Sequence, residues 1–121
     1  LIIDLKFNEK YFERVIHHEL FHIIDDSFDN LFDDKEWKKL NKKNFHYTAC
    51  STCTKKIGLD TYKKTNGFFT EYSKSTPSED MAEVFSHLIK SKYKKSNDKV
   101  LNKKVEFIKK KLKKIDNTFV F

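Results

Sequence analysis

Apolar residues recur at steps of three and four near the start of the chain, at Tyr11, Phe12, Val15, Ile16, Leu20, Ile23 and Ile24. That period is one face of an α-helix. With Asn8 as N-cap and Glu9 in the first turn, it predicts a helix over about residues 9–26, buried along this face. A short second helix begins near Asp33 or Asp34, with Trp37 and Leu40 as its anchors. Residues 41–76 keep no sustained period, scatter Phe45, Tyr47, Tyr62, Phe68, Phe69 and Tyr72, and hold the turn pair Asn66-Gly67. They read as a long loop, either one wall of a substrate cleft or a surface excursion.

Thr76-Pro77 starts a third helix, with Pro at the first helical position and Glu79 and Asp80 in the first turn. Met81, Val84, Phe85, Leu88 and Ile89 form its apolar face, which leaves Asp80 at a solvated helix start and His87 on the exposed or boundary side. From Asn97 to Ile115, Leu101, Val105, Ile108, Leu112 and Ile115 alternate steps of four and three. Lys103, Lys104, Lys109, Lys110, Lys113 and Lys114 fall largely on the other faces, the pattern of a helix packed on a core by one stripe and solvated on the rest. Leu1-Ile2-Ile3-Asp4-Leu5 looks like the end of a strand. The expected architecture is mainly α: one domain over residues 1–121, with a short N-terminal strand and without the strands that would precede it.

Inside the first helix lies His17-His18-Glu19-Leu20-Phe21-His22, which contains the H-E-x-x-H arrangement. Residues four apart sit one turn apart on one face, so His18 and His22 can direct imidazole nitrogens at one ion. Glu19 lies about 100° around the helix, beside such an ion, where it can take a proton from water without binding the metal. His17 is not expected to be a ligand, because only the register beginning at His18 supplies both the second His and the Glu. Ordinary buried histidines are the alternative, and the spacing favours zinc.

Charge changes this picture little. The net charge is +7, which raises nucleic acid or an anionic membrane as partners, yet of 25 basic residues only Arg14 is an arginine. Nucleic-acid interfaces lean on arginine for bidentate contacts, so no nucleic-acid partner is expected. No apolar run is long enough to span a membrane. Cys50-Ser51-Thr52-Cys53 is the only cysteine pair. With no second ligand pair nearby for a structural zinc site and no βαβ pattern for a redox pair, incidental or locally cross-linked cysteines are the expectation.

On the third helix, Glu79 and Glu83 are spaced by four and share a face. A carboxylate there can supply the third protein ligand that catalytic zinc needs beside two histidines. Thr76-Pro77-Ser78-Glu79 also fits a capping box, in which Glu79 bonds back to the Thr76 amide instead.

The combination HHELFHIIDD followed by TEYSKSTPSEDMAEVF resembles the zincin (gluzincin-type) metallopeptidases related to the catalytic domain of anthrax lethal factor and the Pro-Pro endopeptidases. In that family the H-E-x-x-H helix is followed by a Tyr, a zinc-binding Glu seven residues later, and a second Glu four residues further within an Ala-Glu-x-Phe run. Tyr72, Glu79 and Ala82-Glu83-Val84-Phe85 match in order and spacing, over roughly residues 8 to 90. The resemblance implies His18, His22 and Glu79 as zinc ligands, Glu19 as general base, Tyr72 as transition-state stabiliser and Glu83 as a carboxylate behind the ligands. It implies a zinc-dependent endopeptidase acting on peptide or protein substrates, with an extracellular location slightly favoured. Phe21 departs from the small Gly usual before the second His. The rival expectation is a catalytically silent metal-binding, polyanion-binding or protein-interaction domain, against which an intact Glu19 argues.

Overall fold

The computed structural model describes residues 9–48, 60–91 and 93–119. Among the described residues four α-helices follow one another, α1 Glu9–Ser27, α2 Asp34–Lys38, α3 Pro77–Ser91 and α4 Lys99–Ile115, with one 3₁₀ turn at Tyr72–Lys74. The protein is mainly helical, and no strand occurs among the described residues. The N-terminal segment expected as a strand, the Asn8 cap and the Cys50–Cys53 pair lie outside them.

α3 is the axis of the fold. α1, α2, α4 and the 3₁₀ turn all pack on it. Every side chain from Asp80 to Leu88 is buried, polar ones included. A helix enclosed on all sides cannot keep the solvated face that a one-sided apolar pattern implies. Two expectations therefore fail here: Asp80 is fully buried rather than solvated, and His87 is buried with its ring stacked on Phe69, centroids 4.2 Å apart.

α1 has the expected extent but turns a different face inward. Arg14, His18 and Phe21 are buried, whereas Phe12, Ile16, Leu20 and Ile23 are exposed. Much of the apolar stripe read from the sequence thus faces outward, with Val15 half-buried and Ile24 packed against the core, because α1 meets α3 through the histidine-bearing side, where His18 and His22 contact α3 carboxylates. Phe21 sits between Phe32 and Phe85, ring centroids 4.9 and 5.6 Å away.

The remaining elements follow their sequence signals. Asp33 caps α2, its Oδ1 accepting from the Lys35 amide at 3.0 Å, and Trp37 is buried. Asp98 caps α4 from the Leu101 amide at 3.0 Å, and its other oxygen accepts from the Gly67 amide at 2.7 Å, tying the long loop to this helix. Gly67 has φ 86°, the left-handed region that favours glycine, and a Cβ there would stand a tight 3.1 Å from Val100 Cγ1. On α4, Leu101, Val105, Ile108 and Leu112 are buried as expected. Lys104 is not on a solvated face; it too is fully buried, with its ammonium 2.8 Å from Asp80 Oδ2. Loop residues Asn41, Phe45, Tyr62, Phe68, Glu71 and Lys74 border a cleft of about 540 Å³.

Candidate metal centre

α1 and α3 bring together three donor atoms. His18 and His22, one helical turn apart, place their Nε2 atoms 3.2 Å from each other. Glu79 Oε1, from the first turn of α3, lies 3.5 Å from His18 Nε2 and 2.5 Å from His22 Nε2. Thr76 does cap α3, its hydroxyl accepting from the Glu79 amide at 3.1 Å. The Glu79 carboxylate, however, turns to the histidines, so the backbone cap and the acidic donor coexist in one residue.

Three such atoms at these separations need a proton or a metal ion among them. In the metal-free protein the neighbouring carboxylates favour the protonated His18 ring. Burial works against the charged ring, but Glu79 and Glu83 outweigh it and raise the His18 pKa to about 9. Burial likewise opposes the Glu79 charge, and the two histidines overcome it, lowering that pKa to about 2. The donor set fits zinc: two imidazoles and one carboxylate make a usual catalytic trio. Tetrahedral zinc with bonds of about 2.0–2.1 Å places its ligands about 3.3 Å apart, close to the two longer separations here. No other group of three or more His, Cys, Asp or Glu side chains among the described residues is arranged to hold a metal.

Behind the donors stands a second layer. His18 Nδ1 donates to Glu83 Oε2 at 3.1 Å, and Thr70 Oγ1 donates to Glu83 Oε1 at 2.6 Å. Glu83 is almost fully buried; burial disfavours its charge, yet the His18 contact prevails and holds its pKa below the usual carboxylate range. Ser78 Oγ lies 3.2 Å from His22 Nδ1. Each ring is therefore gripped at the nitrogen facing away from the donor cluster, the arrangement that fixes tautomer and orientation in metal-binding histidines. Nothing in the spacing of the sequence singled out Thr70 or Ser78. Ser78 carried a weak signal only, as a first-turn neighbour of Glu79.

Glu19 is exposed on α1, one residue beyond His18. Tyr72, in the 3₁₀ turn, is half-buried with its ring centroid 5.7 Å from that of His18. His87 is held apart from the donors. Its Nδ1 donates to the Glu83 carbonyl at 2.8 Å, its Nε2 accepts from Thr61 Oγ1 at 3.0 Å, and burial pushes its pKa down.

A family model described as "putative zinc-binding metallo-peptidase" matches residues 3–119. The chain belongs to that family. No curated protein and no solved structure matches it. Membership in the zinc-binding metallo-peptidase family supports a metallopeptidase role at that coarse level, and the clustered His18, His22 and Glu79 suit the metal for which the family is named. No helix among the described residues is long and apolar enough to cross a membrane.

Proposed function

We propose that the chain is a zinc-dependent endopeptidase of the gluzincin type. The observation that carries this reading is the convergence of His18 Nε2, His22 Nε2 and Glu79 Oε1, with an exposed Glu19 one residue along from His18. Zinc bound by His18, His22 and Glu79 would supply Lewis acidity and lower the pKa of a water to about 7. Glu19 takes the proton of the attacking water and delivers it to the leaving amine, so that a C–O bond forms as the C–N bond breaks. Tyr72 donates a hydrogen bond to the carbonyl oxygen as negative charge develops there. Glu83 holds the His18 ring by Nδ1, and Thr70 in turn holds Glu83.

The test is zinc content of the purified chain alongside cleavage of a peptide library. About one zinc per molecule and chelator-sensitive cleavage are expected. Glu79→Gln should lose the metal, whereas Glu83→Gln should keep a site weakened about 10–100-fold, as is typical when a group orienting a ligand is lost. A parent that takes up no zinc points instead to the silent interaction domain, and zinc retained by Glu79→Gln but lost from Glu83→Gln reverses the two assignments.

Tyr72→Phe removes only a hydroxyl. As an oxyanion donor, Tyr72 should carry about 10²–10³ in turnover, with zinc content and thermal unfolding unchanged. Cleavage by Tyr72→Phe at the parent's rate would show that the residue serves packing alone.

A further inference from the structure

Three successive residues in the first turn of α3 face different partners. Ser78 meets His22 Nδ1, Glu79 meets both histidines, and Asp80 turns into the core. Asp80 Oδ2 is the meeting point of three donors: Trp37 Nε1 of α2 at 3.0 Å, the Tyr47 hydroxyl of the loop at 2.6 Å, and Lys104 Nζ of α4 at 2.8 Å. Oδ1 is buried and accepts from none. Lys104 Nζ also donates to the Gly67 carbonyl at 2.7 Å and stands 3.7 Å above the Phe68 ring. Neither Asp80 nor Lys104 has any solvent exposure.

Stability alone is a poor reason for such a pair. Desolvating two charges offsets most of their attraction, and an apolar pair of similar volume is often as stable or more so. What the pair supplies is position. Apolar contacts let a short turn slide or rotate by a fraction of an ångström at little cost, whereas three directional hydrogen bonds to one oxygen do not. The oxygen they hold belongs to the residue after Glu79.

We propose that Asp80 and Lys104 are positioning residues for the metal centre. By tying the first turn of α3 to α2, the loop and α4 at a single carboxylate oxygen, they set Glu79 and Ser78 at the height of the α1 histidines. Neither residue touches metal or substrate. The inference rests on the metal-centre reading above, and its test reads metal binding rather than turnover.

The variants are Asp80→Asn combined with Lys104→Met, which leaves no buried charge unpaired, and Tyr47→Phe, which deletes one of the three hydrogen bonds. Three quantities are measured on the full chain: zinc affinity by competition with a chromophoric chelator, the visible absorption of the Co(II)-loaded protein, and thermal unfolding of the metal-free protein. The double variant should bind zinc about 10–100-fold more weakly and show an altered Co(II) spectrum, with a smaller change in the same direction for Tyr47→Phe. A folded double variant with the parent's zinc affinity and Co(II) spectrum overturns the proposal, even if it melts lower, since a merely structural pair would shift only unfolding. Should the double variant not fold, Tyr47→Phe decides by the same two readouts. A parent that binds no zinc overturns the metal-centre reading and this inference with it; a parent that binds while the variants match it overturns the inference alone.

Discussion

Glu19→Gln is expected to keep its zinc and lose about 10²–10⁴ in peptide cleavage, the range that a positioned general base contributes. Gln has the shape of Glu but cannot hold a water proton between the attack and the departure of the amine. Glu19 is exposed and stands outside the trio formed by His18, His22 and Glu79, so its replacement removes no donor atom. The two halves of this expectation are read separately, zinc by elemental analysis and cleavage on the peptide library. A Glu19→Gln protein that cleaves as fast as the parent sinks the assigned chemistry. One that loses its zinc would place Glu19 among the ligands.

Phe21→Ala should be the most damaging single change to stability near the site. Phe21 has no solvent exposure and is wedged between Phe32 and Phe85, where α1 meets α3 and the segment before α2. Truncating a buried Phe typically costs about 3–5 kcal/mol, through lost transfer energy and the cavity left behind. For a chain of this size that lowers the melting temperature by about 10 °C or more. Phe21→Gly, the residue usual at this place in the zincins the motif resembles, should fall about 1 kcal/mol further because glycine is a poor helix residue. Thermal or urea unfolding of the metal-free proteins measures both. A shift of under about 3 °C for Phe21→Ala would mean that the neighbouring rings close over the gap.

Phe21 also shows how a departure from a family pattern acquires a reason only in three dimensions. In the sequence it was an oversized residue beside a ligand. In the fold its ring fills the space between α1 and α3.

The sequence alone determined what depends on near neighbours in the chain. Periodicity and caps placed α1, α2 and α4 to within a residue or two, Thr76-Pro77 marked the start of α3, and the i, i+4 spacing put His18 and His22 on one face of a helix. These features follow from backbone geometry and need no knowledge of what packs where. Tertiary structure decided the rest, because a side chain's burial depends on partners far away in the chain. Phe12, Ile16, Leu20 and Ile23 of the α1 apolar stripe lost the inner position to the histidine face, where α3 offers Glu79 and Glu83. Asp80, His87 and Lys104 read as solvent-facing by residue type, and each is buried because a partner remote in sequence satisfies it: Lys104 and Tyr47 for Asp80, Thr61 for His87, and Gly67 with Asp80 for Lys104. The direction of the Glu79 carboxylate was likewise a tertiary matter. The Thr76 hydroxyl accepts from the Glu79 amide, while the Glu79 carboxylate, instead of folding back to the Thr76 amide, reaches two rings more than fifty residues upstream.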